Sequence, residues 1–393
     1  MLNIWVDTRG TALAGGTGIA TYAQGLASTL TRMGYKPDFL RQVPTGESPP
    51  FGPVNKFTAL ICIIKALKPV VHIREDHEGH PYLPLMFRMG NTHFRCFGKP
   101  LCIKTPSPPQ VMHWTYPLPL KIMNTINITT IHDIIPLVNS EITGINKNKM
   151  RKILTSTINN MDYIVTVTES VRQQIIKNLD VSPDRIENLY QCAGVSEEET
   201  RLLSMAEAVA PADAFVCVGR VESRKNIRRL IIAHGLSKTT RSLVIIGPDG
   251  DDYPDLSPIH NEQKIIRVPW CARYSLLRAI AEARALLFPS LAEGFGLPII
   301  EAMSLNTPVM TSIGAVTEEV SGGAALLVDP LDIEQMSRTI RIIDEMDTTT
   351  RGKLCEAGYR RARFFSVDMQ AERMKNFYNK INLGAGRGKS IKA

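Results

Sequence analysis

The sequence predicts an α/β protein of two domains, each built on a parallel sheet that helices cover on both faces. Three observations lead to this prediction. Its 393 residues are too many for one typical core. Strand-like and helix-like patterns alternate in both halves, as is typical of parallel sheets. A Glu-rich and then Ala-rich segment between Ala193 and Asp213 separates the halves.

The same patterns divide the chain into five segments. They are an N-terminal domain (1–195), a linker (196–212), a C-terminal domain (213–365), a helix that packs back on the first domain (366–383) and a basic tail (384–393). Apolar residues make up 44% and charged residues 21% of the sequence, which favours a folded protein over a disordered one. No apolar run is long enough to predict a transmembrane helix.

In the first domain, short apolar runs predict strands and one-sided apolar patterns predict helices. The strands are expected at 2–7, 37–43, 110–113, 126–131 and 163–168, and the helices at 19–33, 147–160 and 170–178. Thr168 and Ser170 are residue types that begin helices. The stretch from His72 to Pro109 has many prolines and is the least periodic part of the chain, so we expect an excursion there that faces the acceptor.

In the second domain the alternation is more regular. The strands are expected at 215–218, 242–246, 264–268, 285–288, 308–311 and 325–328, and the helices at 227–236, 274–283 and 298–305, with three further helices before the chain ends. Ligands of such sheets bind beyond the carboxyl ends of the strands. The loops after 215–218 and 285–288 are therefore candidate sites.

The loop after the strand at 215–218 carries the pairs Gly219-Arg220 and Lys225-Asn226. Gly219 lets the backbone approach a ligand closely. Arg220 offers a bidentate fork and Lys225 a point charge to a diphosphate. Because arginine and lysine are common on surfaces, this loop alone does not identify a site.

The loop after the strand at 285–288 is a glycine-rich turn that leads into a helix. Gly294 and Gly296 flank Phe295 and leave the backbone uncovered, and Pro298 is typical of a first helical turn. The amides from Gly294 to Leu297, at such a helix start, form an anion site.

Two carboxylates belong to the same element. Glu293 precedes the helix and Glu301 lies about one turn inside it. They are therefore too far apart to share a proton, but each can accept hydrogen bonds from ligand hydroxyls. A solvated or capping carboxylate is the alternative interpretation of Glu301.

Together these elements resemble the donor site of glycosyltransferase family 4, the retaining enzymes with the GT-B fold. The resemblance rests on Glu293-x7-Glu301 after Phe288-Pro289-Ser290, combined with the pairs around Gly219 and Lys225. It extends to 311–312 and 323–330 in the second domain, and to 15–19 and 130–133 in the first. The combination is specific although each part is common.

The resemblance implies two Rossmann-like domains whose parallel sheets face each other across a cleft that binds a nucleotide diphosphate sugar. The anomeric configuration would be retained, with no metal and no cofactor. The implied donor-binding residues are Gly16, Gly18, Gly219, Arg220, Lys225, Gly294, Phe295, Gly296, Leu297 and Glu301. The implied catalytic residues are Glu293, His132, Arg220 and Lys225.

The resemblance also assigns roles on the donor side. Arg220 and Lys225 would hold the diphosphate, and two cations with a helix start can neutralise a leaving group where other transferases use a divalent ion. Glu293 would bind the sugar hydroxyls and Glu301 the ribose. The leaving phosphate would take the acceptor's proton, so no general base is assigned.

In the first domain the resemblance concerns a glycine loop and a histidine. The loop with Gly16 and Gly18 would contact the donor phosphates and the acceptor; a turn without a ligand is the alternative. His132, with Asp133 at the end of a strand, would lie beside the transferred sugar. A core or surface histidine is the alternative there.

The implied activity follows from likeness to bacterial polysaccharide mannosyltransferases. It is transfer of a hexose, mannose from GDP-mannose, to a glycan on a lipid carrier. The alternatives are UDP-glucose or another UDP-sugar as donor, and a nucleotide-sugar epimerase or binding protein of the same fold. A dinucleotide oxidoreductase is excluded because its glycine fingerprint is absent after the first strand of either domain.

The net charge of +8 is concentrated in the first 180 residues and after residue 351. A basic first domain fits an anionic membrane surface or a lipid-linked phosphate better than nucleic acid, for which no motif is present. A merely solvated basic surface is the alternative.

The cysteines and histidines favour no metal site. Seven scattered cysteines without ligand spacing indicate reduced thiols, which places the protein in the cytoplasm, with peripheral association at the inner face of the cytoplasmic membrane left open. His72, His77 and His80, with Glu75 and Asp76, fit no standard zinc spacing and are interpreted as solvated loop residues.

Overall fold

The computed structural model describes residues 2–8, 18–43, 56–257 and 264–381. In chain order its strands are β1 (Ile4–Asp7), β2 (Asp38–Leu40), β3 (Val70–His72), β4 (Arg74–Glu75), β5 (Pro81–Tyr82), β6 (Leu101–Lys104), β7 (Val111–Trp114), β8 (Leu120–Ile122), β9 (Ile126–Ile131), β10 (Tyr163–Thr166), β11 (Ile186–Asn188), β12 (Phe215–Val218), β13 (Leu243–Ile246), β14 (Ile265–Val268), β15 (Ala285–Phe288), β16 (Val309–Ser312) and β17 (Leu326–Val328). Its α-helices are α1 (Gly18–Arg32), α2 (Lys56–Ala66), α3 (Met86–Phe97), α4 (Ile135–Val138), α5 (Lys147–Asn160), α6 (Glu169–Leu179), α7 (Glu197–Leu202), α8 (Ile227–Ser237), α9 (Arg273–Ala281), α10 (Leu297–Ser304), α11 (Ala315–Ser321), α12 (Ile333–Glu345), α13 (Thr348–Arg363) and α14 (Val367–Lys380). None of these helices is both long enough and apolar enough to cross a bilayer.

The chain folds into two compact units. Unit 1 comprises Met1–Leu137, Asn146–Cys192 and Val367–Ala393, and unit 2 comprises Val138–Ile145 and Ala193–Ser366. The segment 196–212 lies in unit 2 and begins with α7, which Ser196 and Glu199 start with a reciprocal capping box. Helix α14 lies in unit 1, although it follows unit 2 in the chain.

Unit 1 is built on a parallel sheet with the order β11-β10-β9-β7-β1-β2. Helix α14 packs against α1 beside this sheet: the Thr29 hydroxyl donates to Gln370 over 2.7 Å, and His113 on β7 bonds the Tyr378 hydroxyl over 2.7 Å. A second, smaller parallel sheet has the order β3-β6-β8 and shares a core with the fully buried Trp114.

The stretch from His72 to Pro109 contains regular elements despite its weak periodicity. The segment forms α3, β6 and the short hairpin β4–β5. Helix α3 buries Met86, Met89, Gly90 and His93, which are spaced as on one helical face. Because two of these buried residues are glycine and histidine, the sequence shows no apolar helical pattern here. Glycine is needed there because a Cβ at Gly90 would lie 2.6 Å from the Leu120 side chain.

Unit 2 is built on a parallel sheet with the order β14-β13-β12-β15-β16-β17. Numbered within the unit, this is 3-2-1-4-5-6, the order of a doubly wound dinucleotide-type sheet. β12, β13, β15 and β16 are buried along their full length, as expected of strands covered on both faces. The six strands predicted for this half are confirmed to within two residues.

The strand order fixes where a ligand of unit 2 can bind. The direction of winding reverses between the adjacent strands β12 and β15, and ligands of such sheets bind beyond the carboxyl ends at that point. The two loops singled out in the sequence are those that leave β12 and β15.

Candidate active site

The loop after β12 approaches its neighbours so closely that it needs glycine. Gly219 has φ of 142°, a region that side chains rarely adopt. A Cβ at Gly219 would lie 3.1 Å from Cε of Lys225, and a Cβ at Gly247 would lie 2.3 Å from the carbonyl oxygen of Gly219. The backbone of the loop at Gly219 therefore lies directly against the aliphatic part of the Lys225 side chain.

Glu293 lies in the loop between β15 and α10 and is a buried carboxylate. Two cations from the loop after β12 bind it. Lys225 donates from Nζ to one carboxylate oxygen over 2.6 Å, and Arg224 donates from Nη1 to the other over 2.8 Å. The Glu293 side chain is 8% exposed and that of Lys225 9%. Lys225 also lies over the Phe288 ring, 4.5 Å from its centroid.

The charge state of Glu293 follows from this environment. Burial acts to raise its pKa, but the positive charges of Lys225 and then Arg224 outweigh burial, so the pKa of Glu293 lies below its ordinary value. The same contacts raise the pKa of Arg224, against the effect of its own burial. The site therefore holds a carboxylate anion at neutral pH.

Arg224 was not among the residues predicted from the sequence. A short 3-10 turn from Ser223 to Lys225 turns both Arg224 and Lys225 toward Glu293. The adjacent cations were visible in the sequence, but a loop has no fixed period from which the direction of a side chain can be inferred. Arg220 lies in the same loop with 59% of its side chain exposed, and its Nε donates to the carbonyl of Asp249 over 3.0 Å.

The glycine-rich turn leads into α10 as the sequence predicts. Gly296 has φ of 97° and is the residue before the helix, and Pro298 lies in its first turn. Phe295 is buried and its ring meets that of Phe365 edge-on at 5.3 Å. The Phe295 side chain thus belongs to the core, and only its backbone is available for the predicted contact with a ligand.

Glu301 is buried on α10, so the solvated alternative for it is wrong. Its side chain is 6% exposed and accepts a hydrogen bond from Arg273 Nη1 over 2.5 Å. Arg273 is the first residue of α9, and Glu199 lies 3.6 Å from its Nε. Arg273 could not be predicted as a member of the site, because its partner Glu301 is distant in the chain.

In unit 1, His132 follows β9 and is held by backbone and ring contacts. Its Nε2 donates to the carbonyl of Thr115 over 2.8 Å, and its ring lies edge-on to that of Tyr22 at 4.8 Å. Burial lowers the pKa of His132 to about 4, so the imidazole is neutral at pH 7. Gly18 is the first residue of α1, and Gly16 lies outside the described residues.

Among the described residues no group of histidine, cysteine or acidic side chains has the geometry of a metal site. His80 of the histidine-rich segment bonds Asp38 through Nδ1 over 3.0 Å. The seven cysteines are all unpaired thiols.

Two family models match the chain. The model described as "Glycosyl transferases group 1" matches residues 212–343 and the model described as "Glycosyltransferase Family 4" matches residues 16–192. The first match contains both loops of the candidate site, and the second contains His132.

Two curated relatives are O-antigen mannosyltransferases. The chain is 27% identical over 221 residues to O-antigen chain mannosyltransferase RfbU of Salmonella typhimurium, over 55% of this chain and 60% of that protein. It is 31% identical over 233 residues to O-antigen chain mannosyltransferase B of Escherichia coli, over 54% of this chain and 60% of that protein. The similarity thus spans less than two thirds of either relative.

Solved structures with the same architecture include two that align over nearly the whole chain. Sucrose-phosphate synthase from Thermosynechococcus elongatus has a TM-score of 0.65 at 15% identity, over 98% of this chain and 100% of that one. Anabaena HepE in complex with UDP-glucose has a TM-score of 0.61 at 12% identity, over 96% and 100%. With a family model matching each half, and with two α/β units built on parallel sheets, the chain belongs to glycosyltransferase family 4 and has the GT-B fold.

Proposed function

We propose that the protein is a retaining hexosyltransferase that acts in the assembly of a bacterial polysaccharide. The observation that carries the proposal is the buried Glu293 anion, held by Lys225 and Arg224 where the winding of unit 2 reverses. A buried ion pair of this kind adds little to stability. It does supply a fixed negative acceptor and fixed positive charges for a polar ligand.

In the proposed donor complex, Glu293 orients the transferred sugar. A carboxylate has about four lone-pair sites, and the two cations occupy one on each oxygen. The remaining sites accept hydrogen bonds from sugar hydroxyls. Arg220 and Lys225 hold the diphosphate, whose negative charge grows as the glycosidic bond breaks, and Glu301 accepts from the ribose.

His132 has a separate proposed role beside the transferred sugar. Because its Nε2–H donates to Thr115, its Nδ1 is an acceptor in the neutral ring. It binds a hydroxyl of the transferred sugar without taking a proton from the acceptor. The departing phosphate takes that proton, and no metal ion is required, because cations and the α10 start balance the charge.

The donor is proposed to be GDP-mannose, because the relatives described above are mannosyltransferases. The alternative donor is a UDP-sugar, which is favoured by the likeness to HepE in complex with UDP-glucose. The acceptor is proposed to be a glycan on a lipid carrier.

A donor panel tests the proposal. The full chain is incubated with GDP-mannose, UDP-glucose and other nucleotide sugars, with membrane extract as acceptor and with EDTA present, and nucleotide diphosphate release is measured. We expect release from GDP-mannose only when extract is added, and NMR of the product showing the donor's anomeric configuration. Conversion of the donor to an isomer would identify an epimerase, and binding without any turnover would identify a binding protein.

We further propose that unit 1 associates with an anionic membrane surface through α2. Leu60, Ile63, Ile64 and Leu67 are 54%, 47%, 53% and 51% exposed. Their spacing of three and four residues places them on one face of α2 and the residue after it. Cys62 and Ala66, on the opposite face, are buried.

The charge around this face favours a membrane as its partner. Lys65 and Lys68 lie within the same segment, and no acidic residue occurs from 48 to 74. Apolar side chains that enter a lipid interface, flanked by lysines, suit anionic lipid.

A further inference from the structure

Unit 1 contains a cavity that none of the roles above uses. It has a volume of about 1050 Å³ and lies between the second half of α3, the first half of α5 and the loop after β7. Three cationic side chains line it: Arg95 from α3, and Lys149 and Lys152 from α5.

The cavity is positive, and no carboxylate is among the residues that line it. All of its lining residues come from segments 79–132 and 142–161, and neither segment contains an aspartate or glutamate. Within the described part of the chain, Arg95, Lys149 and Lys152 form no ion pair. Three cations that face one cavity without counter-charges favour an anionic ligand with more than one negative charge.

The rest of the lining suits a sugar. Phe94 and Tyr116 contribute aromatic surface, and Asn91 and Asn148 contribute side-chain amides. Aromatic rings pack against the apolar faces of pyranoses, and amides donate to and accept from hydroxyls. Cations beside these groups match a ligand in which a sugar is joined to phosphate.

The cavity adjoins the residues that position His132. Tyr116 directly follows Thr115, whose carbonyl accepts from His132 and whose amide donates to the Asp7 carboxylate over 2.5 Å. One wall of the cavity is therefore continuous in sequence with a loop that the proposed function places next to the transferred sugar.

Helix α3 also contacts the end of α2. His93 Nδ1 bonds the carbonyl of Ala66 at the end of α2 over 2.6 Å, and Phe97, which is 49% exposed, packs against His93 with ring centroids 4.7 Å apart. Arg95 lies between these two residues in the sequence and lines the cavity. Helix α3 therefore contributes both to the cavity and to the contact with α2.

We propose that this cavity binds the diphosphate, and the sugar attached to it, of a lipid-linked acceptor. The proposal rests on the proposed function, because it names the acceptor's anionic segment for the same transfer reaction. Lys149 and Lys152 bind the diphosphate oxygens, and the aromatic and amide groups bind the adjacent sugar.

Calorimetric titration of the full chain tests the proposal with two probes, inorganic pyrophosphate and geranyl diphosphate. All proteins carry Lys225→Ala, so that anion binding in unit 2 is weakened. The test variant adds Lys149→Ala and Lys152→Ala. The control adds Lys147→Ala and Lys177→Ala, which remove the same total charge from exposed positions on α5 and α6 outside the cavity.

We expect both probes to bind the control as they bind the Lys225→Ala protein, and to bind the test variant at least about tenfold more weakly, since charge-assisted hydrogen bonds are lost. Tighter binding of geranyl diphosphate than of pyrophosphate would support a lipid-linked ligand. If both probes bind with equal affinity and both lose affinity in the test variant, the result would support an anion site in the cavity whose ligand is a soluble phosphorylated glycan. Equal affinities of the test variant and the control would overturn the proposal.

A parallel titration of the wild-type chain with GDP and UDP separates this proposal from the proposed function. If neither nucleotide binds, the proposed function fails while the result with pyrophosphate stands. If a nucleotide binds equally to the wild type and to a chain with only Lys149→Ala and Lys152→Ala, the donor site is intact and any loss of pyrophosphate affinity belongs to the cavity.

Discussion

Glu293 combines deep burial with full charge, which a protein permits only when partners replace the lost water. Lys225 and Arg224 each satisfy one carboxylate oxygen, and a second anion, Glu222, accepts from Arg224 Nε over 2.7 Å. The arrangement is costly to assemble and sensitive to loss of one member. Such an arrangement, at the carboxyl ends of two strands, is typical of a site that binds a charged ligand.

Glu293→Gln is expected to slow transfer about 10- to 100-fold at saturating donor, because charged hydrogen bonds of about 1.5–3 kcal/mol to the sugar are lost. The measurement is initial-rate kinetics with nucleotide release as readout, beside thermal unfolding of the same variant. Glu222→Gln is the matched control, since it also removes a partner of Arg224 but lies outside the proposed sugar contacts. Wild-type turnover in a folded Glu293→Gln protein would reject the role of Glu293.

At this scale the sequence identifies some site residues and misses their partners. Lys225 and Glu293 were predicted from their loops, and the structure brings them together; the ligand roles of all the predicted residues stay predictions. Arg224 and Arg273 were not predicted, because each belongs to the site only through an ion pair with a glutamate that is distant in the sequence. A single sequence contains no information on such pairs beyond the presence of both charges.

Helices and strands whose buried face is uniformly apolar were predicted well. Those whose buried face also carries polar residues or glycine were not. The buried strands of unit 2 and α5 agree with the structure because apolar side chains mark their inner faces. Helix α3 was missed because glycine and histidine occupy its buried face, and α11 because it is short. Helix α2 was not predicted either, since its outward face is apolar as well as its inward one.

The outward face of α2 predicts a specific lipid dependence. Ile63→Ser with Ile64→Ser is expected to reduce pelleting of the protein with anionic vesicles, because two half-exposed apolar side chains no longer enter the interface. Ile232→Ser, at an exposed position on α8 in unit 2, is the control. Pelleting should also increase with the share of anionic lipid and decrease with salt. Vesicle binding that does not depend on lipid charge would refute this role for α2. Equal binding of the Ile63→Ser/Ile64→Ser protein and the Ile232→Ser protein would refute it as well.

For the whole molecule, the sequence predicts two α/β domains and the structure has two α/β units on parallel sheets. The topology of unit 2 follows from its regular alternation. That of unit 1 could not be derived fully, because the short strands β3, β6 and β8 of its smaller sheet were not among the predicted strands. The return of the last helix is expected from the sequence, but its polar contacts, such as Gln370 with the amide of Cys192 at 3.0 Å, are not revealed by any periodicity.

A chain that ends at Ser366 is expected to lose stability in unit 1 and to keep nucleotide binding in unit 2. The physical reason is that Thr29, His113 and the backbone of Cys192 lose their partners on α14. Limited proteolysis with peptide mapping, together with nucleotide titration, measures both effects. A chain that ends at Leu383 keeps α14 and serves as the control; equal protease resistance of the two chains would contradict the prediction.

The return of α14 to unit 1 has a consequence for biosynthesis. Thr29 on α1 and Gln370 on α14 are separated by 341 residues. The face of α1 that α14 covers is therefore translated long before α14 itself. Domains fold in order as they leave the ribosome, yet here every strand and helix of unit 2 emerges before unit 1 receives its last helix. The unit begun first is the last to be completed, and throughout that interval Thr29 and the other residues of α1 that face α14 lack their partners.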